Sequence, residues 1–390
     1  MSANIEVADV FCRHGDQYCQ NHRISAEQLK VLNMIKICRT SALGGHLQRC
    51  DNCGYQRPAY NSCRNRHCPK CQRLAKEKWL NARRAELLDC GYFHIVFTLP
   101  HGPNALILAN KRTLLSQLFK TAAETLACFA KDPQWRLCGK LGVIGVLHTW
   151  SQTLVDHFHL HCLVPAGVLS FDQTRWNKAR GKYLFSNRAL ATAFKNRYIK
   201  QLISLYKTGK LEFVGASAAL ANADRFGCLI RSLRKNKWIV YAKRPFAGPE
   251  QVLEYLGGYT HRVAISNNRL KSLQNGTVTF SYRDRADGNT VKLMSLGAME
   301  FIRRFLLHVL PDGFVKIRYF GFLAHRNKTR CISLIRKLIG QRAQPIQTLS
   351  ETPVEMMLRL TGVDITCCPQ CKKGKMVAAM PLAKITAANG

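Results

Sequence analysis

Acidic residues are what this sequence most lacks. Only 23 aspartates and glutamates stand against 59 lysines and arginines, a formal charge of +36 over 390 residues. Like charges repel in the compact state, so an excess of this size makes sense only beside an anionic partner, and it argues against an ordinary small-molecule enzyme. Long apolar runs are also missing. No stretch approaches the ~20 residues that cross a bilayer. The opening MSANIEVADVF has no basic stretch ahead of an apolar core, so no export signal is read there. No basic amphipathic anchor stands out, which disfavours a membrane surface as the partner. Nucleic acid remains, because neutralising phosphates releases counterions and rewards many dispersed Lys and Arg. Internal repeats and low-complexity tracts are absent. The expectation is a cytoplasmic protein with no membrane partner.

What is present begins with enough hydrophobic sequence, 47%, for two or three domains with cores. Seventeen cysteines occur, six of them in C-x-x-C spacing. Without an export signal they read as thiolate metal ligands in a reducing compartment rather than disulfides. The segment HLQRCDNCGYQRPAYNSCRNRHCPKCQ holds Cys50 with Cys53 and, fourteen residues on, Cys68 with Cys71. Each pair sets two thiolates on a tight turn, and two such knuckles make a tetrahedral structural Zn²⁺ site. Cys63, His67 and His46 are surplus ligand types. They either replace a thiolate, build a second site with Cys12, His14 or Cys19, or simply pack. Arg64, Arg66 and Lys70 crowd the knuckles and suggest phosphate contact. Near the end, CCPQC offers Cys367, Cys368 and Cys371, a knuckle that cannot close a site alone and whose role stays open.

Periodicity places the elements. AEQLKVLNMIKICRTSALGG reads as a helix with a Gly-Gly stop, 46–71 as loop-like, and QRLAKEKWLNARRAELLDC as a basic helix. YFHIVFTLP, GVIGVLHTWSQTL, FHLHCLVPAG and KWIVYAKRPF read as strands, with helices over 103–130 and 187–207 between them. That order predicts an α+β fold, an antiparallel sheet with helices on one face. RVAIS and VTFSYRD read as short strands with a turn signal at Asn275-Gly276. A basic helical run, a linker near 343–353 and the final knuckle complete the chain.

The third strand carries chemistry. His157, His159 and His161 alternate with Phe158, Leu160 and Cys162, which sets three imidazoles on one face and apolar packing on the other. His159 and His161 can chelate one divalent cation. The third ligand is read as Gln152, on the preceding strand, with His157 as the alternative. Such a site leaves positions open for phosphate oxygens, as phosphoryl chemistry on Mg²⁺ or Mn²⁺ requires. Downstream, EYLGGYT places Tyr255 and Tyr259 one helical turn apart. Gly257 and Gly258 between them argue for local mobility. Spacing alone favours two aromatics packed on the sheet over two nucleophiles. Basic runs complete the pattern. Seven basic residues and no acid lie between Arg225 and Arg244, including Arg231, Arg234 and Lys235. Ten lie between Phe301 and Arg342 against Asp312 alone, including Arg303 and Arg304.

Taken in order, a cysteine module, a His-hydrophobic-His strand and a downstream Tyr-x3-Tyr resemble the HUH superfamily of single-strand endonucleases. The strings SCRNRHCPKCQ, YFHIVFTLPH, HTWSQTLVDHFHLHCLVPAG, YLGGYTHRVAISNNRL and FIRRFLLHVLPDGFVKIRYFGFLAHRN resemble most closely the bacterial rolling-circle insertion-sequence transposases, the ISCR-like, two-tyrosine class related to Helitrons. The resemblance implies that His159 and His161 bind the catalytic metal and that Tyr255 and Tyr259 are nucleophiles, reversing the reading from spacing. It implies a zinc-binding DNA-recognition module and a 5′-phosphotyrosine intermediate at transposon ends, which is then joined to target DNA. It also implies a bacterial, nucleoid-associated location. The family's frequent proline between the first two histidines is here Phe158. The expected organisation is a helical and zinc-binding module over 1–90, an HUH nuclease domain over 91–285, and a basic region with a cysteine knuckle over 286–390. The rival readings are an HUH replication initiator with the same chemistry and a non-catalytic zinc-ribbon regulator.

Overall fold

Runs of almost continuously buried residues build the central sheet. In this computed structural model, which describes residues 5–179, 184–246, 251–252, 257–258, 260–284, 287–341 and 351–385, five strands lie side by side. Their order is Ile317–Gly321, Gly142–Trp150, Asp156–Pro165, Tyr92–Thr98 and Ile239–Phe246, every neighbour antiparallel. Four of these are the strands read from the sequence. The fifth, Ile317–Gly321, closes one edge and comes from within the second basic run. The histidine-bearing strand is at the centre.

One face of this sheet is the main core. Phe93, Ile95 and Phe97, Phe158, Leu160 and Cys162, and Val143 and Leu147 all point into it. Three helices cover them: Lys111–Lys131 through Leu115, Leu118 and Phe119, Asn187–Lys207 through Leu190, Phe194 and Tyr198, and Ala223–Lys235 through Phe226, Ile230 and Leu233. Burying each such side chain contributes about 1.5–3 kcal/mol. Gly145 lets the first helix come close: a Cβ there would lie 3.2 Å from the Phe119 ring. The second face is not bare, as a one-sided arrangement would leave it. At one end Tyr92, Ile144 and Leu163 are covered by Cys331, Ile332 and Ile335 of helix Lys328–Leu338, with Phe322 and Leu323. The other end of that face carries histidines.

Two smaller units attach to this sheet. Helices Val7–Asn21 and Ala26–Lys36 pack on helix Ala298–Leu307 and on a sheet of strands Leu270–Gln274, Thr277–Asp284 and Thr290–Gly297, sharing a core through Phe11, Leu32, Phe280 and Phe301. The second helix starts on a capping box, the Ser25 hydroxyl accepting from the Gln28 amide at 3.2 Å. The hairpin turn at Asn275-Gly276 forms, with φ of 48° and 71°. Its first strand is Leu270–Gln274 rather than RVAIS, because a two-residue turn needs its strand to run directly into Asn275. Residues 46–71 are also more ordered than a loop. Strand Gly45–Cys50 pairs with Gln56–Tyr60 on one side and with the tail strand Met376–Leu382 on the other. Among the described residues no helix is long and apolar enough to cross a membrane.

Candidate metal centres and nuclease site

Strand alternation and register together assemble the histidine site. His159 and His161 share the face opposite Phe158 and Leu160, and register sets His148 directly across from His159 on strand Gly142–Trp150. A ring nitrogen from each of His148, His159 and His161 lies within 4.8 Å of the others. His148 and His161 are buried and His159 half-buried. The Nδ1 of His159 sits 2.8 Å from the His157 carbonyl oxygen, which accepts. That bond puts the proton on Nδ1 and the lone pair on Nε2, the arrangement of a metal-ligating histidine. The Nδ1 of His161 lies 2.8 Å from Nε2 of His94, a buried residue on strand Tyr92–Thr98. With His161 as donor, its Nε2 likewise carries the lone pair.

This differs from the ligand set read from the sequence. The third imidazole of the converging group is His148. Gln152 lies in the turn between the two strands, where its carbonyl accepts from the Arg269 guanidinium. His157 lies at the start of its strand, its ring facing those of His101 and His159 at centroid distances of 5.6 and 4.8 Å. The physical reason is the hairpin register together with a bulge. Trp150 pairs with Asp156 beside the turn, and a register shift between His148 and Trp150 then sets residue 148 opposite residue 159. Neither that bulge nor His94 had a local signal in the sequence.

Tyr255 and Tyr259 lie outside the described residues. Their neighbours are described. Gly257 sits against helix Gln72–Arg84, where a Cβ would fall 2.7 Å from Leu80 Cδ1 and 2.6 Å from Lys76 Cε. Any larger residue at 257 would have to push the Lys76 and Leu80 side chains aside. His261 packs near Trp79 of the same helix, ring centroids 6.0 Å apart, and burial pushes its imidazole down to about 4.

The cysteines form two groups, and neither is the expected Cys50, Cys53, Cys68, Cys71 set. Cys68 and Cys71 join Cys63 and Cys38, and Cys50 and Cys53 join Cys368 and Cys371. The two knuckles are separated by the chain between them. Strand Gly45–Cys50 and its hairpin carry the first knuckle away from the second, leaving each to find partners elsewhere. In the first group Sγ of Cys71 lies 3.6 Å from those of Cys38 and Cys63. A tetrahedron with metal–sulfur bonds of about 2.3 Å sets its sulfurs about 3.8 Å apart, so four thiolates at this spacing fit Zn²⁺. His67 is in neither group. Burial pushes its imidazole down to about 3, and its Nε2 faces the Leu310 amide at 3.5 Å. His46, Cys12, His14 and Cys19 also join neither group.

The basic residues divide. Arg231, Arg234 and Lys235 are exposed on helix Ala223–Lys235, whose other side is the buried Phe226, Ile230 and Leu233. Arg64 is exposed as well, at a φ of 54°. Others are used internally. Arg66 donates to the carbonyls of Pro311 and Phe314, Lys70 pairs with Glu6, Arg303 with Glu300, and Arg304 with Glu300 and the Thr153 carbonyl.

Comparison with known proteins fits both halves of this arrangement. Residues 142–330, which carry His148, His159 and His161, match a family model described as "Putative transposase". Residues 10–99, which carry Cys38, Cys63, Cys68 and Cys71, match a "Transposase zinc-binding domain". The chain is 46% identical over 376 residues to the "Putative transposase y4qJ" of Sinorhizobium fredii, covering 95% of this chain and 94% of that protein. It is 30% identical over 306 residues to the "Transposase for insertion sequence element IS801" of Pseudomonas savastanoi pv. phaseolicola, covering 77% and 71%. No solved structure matches it. The chain therefore belongs to the IS91-like, HUH-type family of rolling-circle insertion-sequence transposases.

Proposed function

We propose that this transposase nicks and rejoins single-stranded DNA at the ends of its element through a 5′-phosphotyrosine on Tyr255 or Tyr259. The observation that carries the reading is the convergence of His148, His159 and His161 within 4.8 Å on one sheet face. Neutral imidazoles in that number suit a divalent cation with open positions, unlike a closed structural site. Mg²⁺ or Mn²⁺ bound there supplies charge neutralisation at the scissile phosphate. His94 and the His157 carbonyl hold His161 and His159 in the ligating tautomer and rotation. The exposed Arg231, Arg234, Lys235 and Arg64 hold the phosphate backbone of the strand ahead of the chemistry.

In the cleavage step a tyrosine oxygen attacks phosphorus. The new P–O(Tyr) bond forms as the P–O3′ bond breaks, and the 3′ oxygen leaves with a proton as a hydroxyl. One phosphodiester is exchanged for another, so the reverse step joins a new 3′-OH without a nucleotide cofactor. Cys38, Cys63, Cys68 and Cys71, holding a structural Zn²⁺, fix the basic knuckle and the helix against which Gly257 sits. Gly257 and His261 lie against that same helix.

The test is a single-stranded DNA bearing the element's end, incubated with Mn²⁺. A 3′-labelled strand should migrate with the protein on a denaturing gel, and a 5′-labelled strand should be released with an extendable 3′-OH. Tyr255→Phe with Tyr259→Phe should remove all adduct while leaving DNA binding intact. Adduct that persists in the double variant sinks the nucleophile assignment, and label that stays with the 5′ fragment sinks the polarity.

A further inference from the structure

The second cysteine group joins positions more than 300 residues apart. Cys50 and Cys53 sit at the end of strand Gly45–Cys50 and in the turn that follows, and Cys368 and Cys371 lie in the C-terminal knuckle. Sγ of Cys50 is 3.7 Å from that of Cys371, and Sγ of Cys53 is 3.7 Å from that of Cys368. These separations are the sulfur spacing of a tetrahedral thiolate site of about 3.8 Å, and far from the ~2.05 Å of a disulfide. The backbone is shaped around the sulfurs in the same way on both sides. The Asn52 and Cys53 amides point at Cys50 Sγ at 3.4 Å, and the Gly374 amide points at Cys371 Sγ at 3.3 Å. Amides aimed at a sulfur in this way are the turn geometry of a metal-binding cysteine knuckle. A Cβ at Gly374 would fall 2.4 Å from Cys50 Sγ, so only glycine admits this approach.

The surrounding contacts show what the group does for the chain. The tail strand Met376–Leu382 completes a sheet on Gly45–Cys50, with Cys50 opposite Met376 and Gly45 opposite Leu382. Asp51 and Lys375 bond reciprocally, amide to carbonyl at 3.1 Å and amide to carboxylate at 2.8 Å. Among the described residues the buried apolar side chains of this corner are Cys50, Cys368 and Met376, with Tyr55 and Cys371 partly buried against them. So small a core adds little to the backbone pairing that seats the tail strand, and four sulfurs closing on one ion would supply the missing anchor.

We propose that Cys50, Cys53, Cys368 and Cys371 bind a second zinc ion, separate from that of the Cys38 group, which clasps the C-terminal tail onto the N-terminal module. The clasp explains both the unpaired N-terminal knuckle and the C-terminal C-x-x-C, each being half a site. It does not depend on the nuclease chemistry.

Zinc counted by native mass spectrometry on the purified full chain tests this. Two ions per chain are expected, falling to one in the Cys368→Ser/Cys371→Ser double variant. One ion in the unaltered protein, or two retained in the double variant, overturns the proposal. Thiol labelling of the unaltered protein gives a readout that needs no variant to fold. Cys12, Cys128, Cys138 and Cys228 are exposed, and so is Cys53. Peptide mapping after brief alkylation should show the first four modified and Cys53 protected at least tenfold, with protection lost after a zinc chelator. Cys53 reacting as fast as Cys138 before chelation also overturns the clasp.

Discussion

Replacing His148 is the sharpest test of the histidine site, because nothing but the register brings that residue to it. His148 is 3% exposed, lies opposite His159, and has its ring 4.6 Å from the His161 ring. Its removal leaves two imidazoles to hold the cation. Losing an outer partner of a metal ligand costs 10–100-fold in affinity, so losing a ligand should raise the half-saturating Mn²⁺ at least tenfold. At saturating Mn²⁺ the cation would be held less firmly against the phosphate. Loss of one preorganised stabilising group costs about 2.7–4 kcal/mol, or roughly 10²–10³ in rate. The assay is single-turnover cleavage of labelled single-stranded DNA across a Mn²⁺ titration, with Mn²⁺ binding followed separately by electron paramagnetic resonance. His148→Ala also leaves a void beside Trp150, whose ring is 5.0 Å away. His148→Gln therefore accompanies it, and both need thermal melts within a few degrees of the parent. Gln152→Ala should leave the Mn²⁺ titration unchanged. The reasoning fails if His148→Ala and His148→Gln keep the parent half-saturation within twofold while Gln152→Ala shifts it.

Other expectations follow from the same geometry. His94→Leu should raise the half-saturating Mn²⁺ about tenfold, and His94→Gln, which restores an acceptor for His161, should recover most of it; equal losses in both would make His94 a packing residue only. Burial pushes the His308 imidazole down to about 4, although its Nε2–H donates to the Leu154 carbonyl at 3.0 Å. In the unfolded chain the imidazole takes up its second proton near 6.5. Stability from this group is therefore full above about pH 6.5 and is lost as pH falls towards 4, by roughly 3 kcal/mol in all; urea midpoints of His308→Leu should fall less steeply over that window than those of the parent. Phe158→Ala, emptying a site 2% exposed in the main core, should cost about 3–5 kcal/mol by urea unfolding. Single-stranded DNA affinity should fall with a log–log salt slope of roughly −0.7 per phosphate contact. Arg231→Gln with Arg234→Gln should flatten that slope, and an unchanged slope would place the phosphate track elsewhere.

Much of the site is legible in the sequence wherever local period decides geometry. Phe158, Leu160 and Cys162 do point into the core, and His159 and His161 do share the opposite face, because a strand reverses its side chains at every residue. The Asn275-Gly276 turn is likewise local chemistry, since both residues adopt positive φ cheaply. Elsewhere local pattern misleads. Cys50, Cys53, Cys68 and Cys71 have the spacing of one closed site, yet each pair is closed by partners the spacing does not name.

What the sequence alone determined was the class of chemistry. A charge of +36 requires a polyanion, C-x-x-C pairs require a thiophilic metal, and a His-x-His strand offers two imidazoles to one cation. These follow from residue type and from periods of two or three positions. Only the tertiary structure decided the membership of each site. Cys38 reaches Cys71, Cys371 reaches Cys50, and His94 reaches His161 across neighbouring elements whose pairing is set by the burial of whole sheet faces. No short window of sequence encodes that choice. Strand order and register come from the summed packing of cores built from distant segments, and a one-residue change of register would have turned strand residues such as His94 and His161 to the other face.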